Sequence, residues 1–555
     1  MAVGLVAVVG TGCSTHDDTA YLIAPPPRTA AVAVAMPAPT SAPTPAAVRV
    51  PPLGSAKYRV CAFAFHSPYE LDAIKAALPP GDFVFTDLTP VAPAMSGTAP
   101  GTQTLPPGWL TDRCRPDLRC DIVVLSGEFA GTFFGDYGAS LELQEMEEAS
   151  CQPSCQGLFR DPREVFLLGC NTLATKGADD RTRADYLHVL YTHGFDRAAA
   201  ERVVDQRYGG LGPSFKESMR RIFLGVPRIY GFSSVAPTGD KTAPWLTEYF
   251  RRKGDYARYL TEAGRSTASN RDLLAAFGHS AVVQTTGLSP ADAVAADRNK
   301  VCRLYDDAAS LGERLRIVHS LLDRDDFLTF VPPVEIFLSR NPPERFQSPE
   351  EQHLFRQVQA LEKPRQQMKA TMNRLHASVL KMQIAHLAMQ LGWLGGEEFR
   401  RLAAESAKQL LGEPVSYEVA DIACEVVKYG QVGTGIRSEE VPDHIFLHWE
   451  GFRMLDCLSP ADARLSTRMA PGLRHHDEWV RFWAAHALSR RLPLSDGVLA
   501  AVAESLNDPS LRVRERVRWI LQTQPPLTAQ ALAAVRLRDP ELARSLEARR
   551  REAQR

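Results

Sequence analysis

The sequence predicts an α/β domain with a mostly parallel sheet and helices on both faces, followed by an all-α region that ends in helical repeats. Over residues 56–262, short apolar runs alternate with segments of helical pattern, which is typical of a parallel sheet covered on both faces. From about residue 270 onward, apolar residues recur at helical spacing. Near the C-terminus, one pattern occurs twice about thirty residues apart, which indicates stacked repeats.

The bulk composition limits the class of protein. A chain of 555 residues is too long for one hydrophobic core, so we expect roughly two to four domains. A hydrophobic content of 45% and a charged content of 23% are ordinary for globular proteins. The formal net charge of −1 provides no general attraction to nucleic acid or to an anionic membrane. We therefore expect no nucleic-acid partner.

The N-terminus, residues 1–13, resembles the signal of a bacterial lipoprotein. An apolar run at residues 2–9 is followed by Gly10-Thr-Gly-Cys13. In lipoproteins this cysteine carries the lipid anchor, so the resemblance implies export, lipidation of Cys13 and contact with the membrane through that anchor only. The chain departs from the pattern because no Lys or Arg precedes the run and Gly10 stands where Leu is usual. The alternative is an unused signal and a cytoplasmic protein.

A change of composition separates this signal from the first folded region. Residues 14–55 are rich in Pro, Ala, Thr and Val, as in Met36-Pro-Ala-Pro-Thr-Ser-Ala-Pro-Thr-Pro45. A segment of this composition cannot bury enough apolar side chain to fold. It is predicted to be a disordered linker that tethers the folded domains to the anchor.

Continuous apolar runs predict the strands of the α/β domain. They lie at residues 58–65, 83–87, 121–126, 164–169 and 228–232. In such sheets, functional sites lie beyond the carboxyl ends of the strands. The third and fourth runs end in distinctive sequences, Ser126-Gly-Glu-Phe129 and Gly169-Cys-Asn-Thr172. We therefore expect a candidate site where these two strand ends meet.

The second of these ends resembles the nucleophile motif of caspase-like cysteine peptidases of the CHAT type. In that family, one strand ends in a loop with a His, and the next ends in a small residue followed by the nucleophilic Cys, often as Ala-Cys-x-Thr. Leu167-Leu-Gly-Cys-Asn-Thr-Leu-Ala174 is similar to this motif, and residues 211–232 are similar to the family's Gly-x-Ser, helix and strand segment. The resemblance covers residues 56–262. It implies that Cys170 is the nucleophile, that nearby backbone N–H groups hold the oxyanion, and that no cofactor takes part.

One position departs from the family pattern, because Glu128 stands where the partner His is expected. A thiol needs an electropositive neighbour to ionise, whereas a carboxylate beside it opposes ionisation. Glu128 would act as a base only if it were desolvated. His66 and His193 are other candidates, although neither follows the family's order. Three interpretations stay open: a degenerate domain that only binds, a peptidase in which Cys170 is the nucleophile and Glu128 or a His is the base, and a different chemistry or fold. For Cys170 alone, the alternative is a small buried residue at a strand end.

Four cysteines lie in the stretch just before the nucleophile position: Cys114, Cys120, Cys151 and Cys155. In an exported protein, one or two disulfides are the simplest prediction for them. The alternatives are a structural zinc site, whose usual pairs have tighter spacing, and free buried thiols. The pairing of cysteines cannot be read from a sequence.

The second half of the chain is predicted to be helical over residues 263–465. Residues 466–555 are similar to HEAT repeats, because in each of two segments an Asp precedes a Val-Arg pair and an apolar helix. These segments are His476–Leu488 and Asn507–Leu521, and Asp539 begins a possible third. Such helices stack into a curved surface that usually binds protein. The alternative is a plain helical bundle.

These patterns together predict a cell-envelope protein with a caspase-like domain. The domain is expected to bind, or to cleave, a protein partner that the helical repeats recognise. The alternative is an interaction scaffold without catalytic activity, in which Cys170 is only structural.

Overall fold

The structure is a computed structural model. It describes residues 57–66, 68–90, 109–134, 140–177, 182–192, 197–278, 280–288, 293–412, 417–429, 436–458, 463–524 and 527–554. The chain forms two compact units, one made of Met1–Phe195 and Val203–Gln367 and the other of Asp196–Arg202 and Met368–Arg555. The predicted signal, linker and lipidation site at Cys13 lie outside the described residues. No helix within these ranges is long and apolar enough to cross a membrane.

Nine strands are described, in two sheets. They are β1 Tyr58–Ala64, β2 Phe83–Asp87, β3 Ile122–Ser126, β4 Glu128–Phe129, β5 Thr132–Phe134, β6 Ser140–Glu142, β7 Glu164–Leu168, β8 Arg228–Phe232 and β9 Val282–Thr285.

Twenty-five helices are described, and fifteen of them begin before residue 374. These are α1 Tyr69–Ala77, α2 Trp109–Arg113, α3 Leu143–Cys151, α4 Gln156–Phe159, α5 Arg183–Thr192, α6 Arg197–Tyr208, α7 Phe215–Ile222, α8 Gly239–Lys253, α9 Tyr256–Ala263, α10 Arg271–Ala276, α11 Ala293–Tyr305, α12 Leu311–Leu322, α13 Val331–Arg340, α14 Pro349–Gln359 and α15 Glu362–Arg374. The remaining ten are α16 Ser378–Gln390, α17 Gly396–Leu411, α18 Tyr417–Tyr429, α19 Trp449–Leu458, α20 Ala463–Met469, α21 Glu478–Ser489, α22 Asp496–Glu504, α23 Leu511–Thr523, α24 Ala529–Arg536 and α25 Pro540–Gln554.

The large sheet has six strands in the order β2-β1-β3-β7-β8-β9. Its first five strands are parallel, and β9 pairs antiparallel with β8. This confirms the predicted α/β class with a mostly parallel sheet. The sheet also extends beyond residue 262, because β9 lies in the region that was predicted to be helical. A small antiparallel sheet, β4-β5-β6, follows β3.

The large sheet is buried on both faces, which explains the unbroken apolar runs of its central strands. Val123 and Val165 point into the cluster on one face. Val124 and Phe166, one residue further along each strand, point into the cluster on the other face. Helices α1 and α8 pack against each other on this second face.

Cys114, Cys120, Cys151 and Cys155 all form disulfides. The pairs are Cys61–Cys120, Cys114–Cys155 and Cys151–Cys302. A fourth bond, Cys424–Cys457, lies in the second unit. A zinc site would need the four sulfurs as thiolates, and these bonds consume them. The alternative of free thiols is also wrong for these residues, because no described cysteine is free.

The helical segment after the sheet is fastened to α3. The Cys151–Cys302 disulfide joins the end of α3 to α11. Arg340 of α13 forms two hydrogen bonds of 2.8 Å with Glu148 of α3. These cross-links explain why the first unit runs to residue 367 and includes helices that the sequence assigned to a separate region.

The second unit joins successive helical pairs through the Asp and Arg of the repeated pattern. Arg481 of α21 donates two hydrogen bonds, of 2.7 and 3.1 Å, to Asp508, which precedes α23. Both side chains are buried. Asp477 caps α21 by accepting the N–H of Trp479 at 2.7 Å. These residues thus stabilise both a helix start and a contact between neighbouring helical segments.

Candidate functional site

The carboxyl edge of the large sheet brings the ends of β1, β3 and β7 side by side. Hydrogen bonding continues past the strands, because Phe65 N–H donates to Ser126 O at 2.8 Å and Gly127 N–H donates to Leu168 O at 3.2 Å. The segments that follow β3 and β7 are therefore neighbours, about 4.8 Å apart. These are the segments that carry Glu128 and Cys170.

Close packing explains the glycine before Cys170. A Cβ atom on Gly169 would lie 2.6 Å from the carbonyl oxygen of Gly127 and 3.0 Å from the Cβ of Phe129. The first of these contacts is with backbone, which cannot rotate away. The small residue of the motif is thus required by the approach of the two strand ends.

Glu128 begins a different sheet. It opens β4, where it lies opposite Phe134 of β5. The chain therefore leaves the large sheet at Gly127, and Glu128 is half-buried. The position is next to that of Cys170 along the sheet edge, but its backbone belongs to the small antiparallel sheet.

The sulfur of Cys170 lies in the apolar interior. The residue is 8% exposed and belongs to the cluster that includes Leu168 and Phe232. Its Sγ accepts the backbone N–H of Ala236 at 3.3 Å. Buried cysteines in apolar surroundings are usually structural, whereas nucleophilic cysteines are partly exposed in electropositive surroundings.

The turn after Cys170 already uses its backbone donors. Asn171 has a positive φ of 60°, and its N–H donates to Ser234 O at 2.7 Å. Leu173 N–H donates to Phe232 O at 2.9 Å. Neither amide is aimed at the space that an oxyanion would occupy. The Asn171 side chain donates to the hydroxyl of Tyr186 at 2.8 Å, which helps to hold the turn.

Of the two histidines considered from the sequence, only His66 lies in the described part of the chain. His66 follows β1, which is two strands from β7 in the sheet order. Two strand spacings correspond to about 10 Å between backbones, twice the separation of adjacent strand ends. His193 lies outside the described residues.

A buried carboxylate near this edge was missed by the sequence interpretation. Glu70, near the start of α1, is 5% exposed and accepts the hydroxyl of Ser126 at 3.1 Å. Ser126 and Leu168 are partners in the register of β3 and β7, so Ser126, Leu168 and Cys170 share one face of the sheet. Acidic residues are common in the first turn of a helix because they interact favourably with the helix dipole. Glu70 therefore does not stand out in the sequence.

Lys176 follows Cys170 closely and is a second residue that the sequence did not single out. Its ammonium donates to the carbonyls of Gln206 and of Leu211, the latter at 2.8 Å. Burial and, to a smaller extent, the nearby charge of Arg207 lower the pKa of Lys176 to about 8, against the opposing effect of Glu217. Both hydrogen bonds go to backbone, so the lysine fastens the loop after Cys170.

The opposite edge of the sheet holds the most buried ionic network. Glu164, at the start of β7, is fully buried and accepts hydrogen bonds from Arg228 and Tyr230, each at 2.7 Å. Tyr256 also donates to Glu164. Burial, reinforced by the Glu164 charge, raises the pKa of Tyr256 well above its ordinary value. This network lies at the amino ends of β7 and β8, away from the strand ends that carry Cys170, and its role is structural.

Neither a metal-binding cluster nor a related protein indicates the function of this edge of the sheet. In the part of the chain that the structure describes, no group of three or more His, Cys, Asp or Glu side chains is arranged to hold a metal ion. The chain matches no protein-family model, no curated protein and no solved structure. The function is therefore inferred from the residues alone.

Proposed function

We propose that the protein is an exported, lipid-anchored binding protein of the cell envelope. Its caspase-like domain is degenerate, and its HEAT-like repeats select a protein partner. In this proposal Cys170 is a structural residue and Glu128 has no catalytic role. The observation that carries the proposal is the burial of Cys170 in an apolar cluster.

A cysteine nucleophile must be ionised and accessible to its substrate. Cys170 is 8% exposed and lies in an apolar cluster. The neighbouring strand end supplies Glu128, which opposes ionisation of a thiol. These features favour a core residue over an active nucleophile.

The disulfides support export. Disulfides persist in oxidising compartments and are rare in proteins of the reducing cytosol. Four of them occur within the described residues, in both units. This agrees with the lipoprotein-type signal at residues 1–13 and argues against the alternative of a cytoplasmic protein.

The likeness to caspase-like peptidases rests on the arrangement of the strand ends. The two motifs of the family belong to successive strands, and here β3 and β7 are neighbours in a mostly parallel sheet. The small residue before the cysteine is explained by the close approach of Gly127. These observations support a caspase-like fold as part of the proposal.

A second candidate function is a cysteine peptidase. One contact favours it, because the N–H of Ala236 donates to the Cys170 sulfur at 3.3 Å. The same donor would stabilise negative charge on a thiolate. Glu128 would then have to act as the base.

Labelling with iodoacetamide distinguishes the two functions. The purified full chain is labelled before and after mild reduction, and the modified cysteines are mapped by mass spectrometry. The binding proposal expects no label on Cys170 in the oxidised protein and no cleavage of a mixed peptide library after reduction. Rapid labelling of Cys170 on reduction, with cleavage that is lost in Cys170→Ala, would establish the peptidase. The variant Cys424→Ala/Cys457→Ala is the control, because it removes a disulfide and keeps Cys170.

Fractionation of a bacterial host tests the location. Wild-type protein is expected in the envelope fraction, and Cys13→Ser should release it from the membrane while the four described disulfides stay formed. Recovery of the wild-type protein from the cytosol with reduced cysteines would contradict the proposal.

A further inference from the structure

Among the residues that the structure describes, two arginines on one helix of the second unit have no acidic partner. Helix α23 contains four arginines. Arg514 donates to the carbonyls of Asp508 and Pro509 at 2.6 and 2.9 Å, and Arg518 pairs with Asp539 at 2.6 Å. Within the described residues, Arg512 and Arg516 form neither an ion pair nor a hydrogen bond.

These two arginines lie on aromatic rings of the neighbouring helix instead. Helices α21 and α23 pack against each other. The guanidinium of Arg512 lies 5.3 Å from the ring centre of Trp479, and that of Arg516 lies 5.9 Å from the ring centre of Phe482. Stacking on a ring orders the side chain while its N–H groups remain free to donate.

Exposed apolar side chains continue this surface. Trp519 of α23 is 44% exposed, although most tryptophans in proteins are largely buried. It lies seven and three residues after Arg512 and Arg516, and so on the same side of the helix. We call Trp479, Phe482, Arg512, Arg516 and Trp519 the arginine–aromatic face.

The geometry points to this face as the docking site for an acidic segment of a partner protein, with an apolar side chain placed between its carboxylates. Arg and Trp are the residues that dominate protein interfaces energetically. Two ordered guanidiniums offer paired donors that match carboxylates. Glu515 is the one acidic residue between them on α23, so the local charge favours an anion. The inference deepens the proposed binding role and rests on it.

The charge pattern favours a protein segment over a nucleic acid or a lipid surface. The chain as a whole has a net charge of −1, so no broad basic surface steers polyanions to it. The basic groups here are few and are each combined with a ring. A short peptide can supply both carboxylates for the arginines and apolar side chains for the rings, because acidic and apolar residues can alternate along it.

Fluorescence anisotropy with a defined probe tests the inference. The probe is a short fluorescein-labelled peptide in which pairs of glutamate alternate with leucine and phenylalanine, and it is titrated with the full chain. The wild-type protein should bind this peptide, and Arg512→Glu/Arg516→Glu should weaken binding by at least about tenfold, which corresponds to about 1.4 kcal/mol. A control peptide with lysine in place of glutamate should not bind.

A charge-matched variant serves as the protein control. Arg400→Glu/Arg544→Glu changes the net charge of the chain equally, at exposed positions on α17 and α25, and should bind the acidic peptide as the wild type does. Equal weakening in both variants, no binding of the acidic peptide, or preferred binding of phosphatidylglycerol vesicles or of an oligonucleotide would overturn the inference. None of these outcomes depends on the state of Cys170 or on the location of the protein, so they are separable from a failure of the proposed function.

Discussion

The Cys424–Cys457 disulfide should contribute several kcal/mol to the stability of the second unit. It joins α18 to α19, which pack against each other, and the bond closes a loop of 33 residues. In the chain-entropy model, closing such a loop removes about 12 to 13 cal/mol/K from the unfolded chain, or about 4 kcal/mol at 25 °C. The variant Cys424→Ala/Cys457→Ala should lose about this much, because it removes both sulfurs and leaves no unpaired thiol.

Tryptophan fluorescence during urea unfolding measures the loss. Five of the seven tryptophans, Trp393, Trp449, Trp479, Trp483 and Trp519, lie in the second unit. If the free energy of unfolding falls by about 3 kcal/mol per M of urea, the loss of the disulfide should lower the unfolding midpoint by about 1 M. Wild-type protein with the reductant present throughout should unfold at the same urea concentration as the variant. An unchanged midpoint, or alkylation of Cys424 and Cys457 in the unreduced protein, would refute the reasoning.

Three more substitutions test the interior of the first unit. Glu164→Gln leaves the charge of Arg228 buried without its partner, so the melting temperature should fall by the equivalent of about 3–5 kcal/mol. Gly169→Ala brings a Cβ to 2.6 Å from Gly127 O, and calorimetry should show a loss of about 1–3 kcal/mol. The pKa of Lys176 is lowered from 10.5 to about 8 in the fold, so between these pH values only the unfolded chain keeps the proton. Stability relative to Lys176→Met should therefore rise with pH across this window in urea titrations.

Each of these has its own control. Glu164→Gln/Arg228→Met removes both charges and should recover part of the stability; a double variant as unstable as the single one would show that the pair itself is not responsible. Gly81→Ala meets no atom within 4 Å and should be nearly neutral, so an equal loss there would remove the steric explanation for Gly169. A pH dependence that is identical in the wild type and in Lys176→Met would show that the lysine does not titrate in this window.

The parallel sheet was predictable because its central strands are buried on both faces. Such strands give unbroken apolar runs such as Ile122–Leu125 and Val165–Leu168, and these are visible without any partner. The last strand, Val282–Thr285, was missed because it is only four residues long and half-buried at the sheet edge. A short edge strand gives too little pattern to distinguish it from a loop.

The site was less predictable than the sheet, since it depends on contacts between distant residues. The sequence predicts that Glu128 and Cys170 follow successive strands, and the hydrogen-bond register places those strand ends beside each other. It gives no sign that Glu70 reaches Ser126 from another element. Nor does it pair Cys151 with Cys302, which are 151 residues apart. The local sequence pattern determines which segments form helices and strands. Contacts between distant residues, such as these two, depend on how those helices and strands pack.

The two units differ in whether their key polar side chains already have partners within the protein. In the first unit, three buried groups that could take part in chemistry are engaged by the protein itself: Glu164 by an arginine and a tyrosine, Lys176 by backbone carbonyls, and Cys170 by the N–H of Ala236. A catalytic site normally keeps such a group available for the substrate. In the second unit, Arg512 and Arg516 are ordered on rings and have no acidic partner in the described part of the chain. Ordered donors without an internal acceptor are what a binding surface provides, so this difference between the units supports the proposal of a binding protein over that of a peptidase.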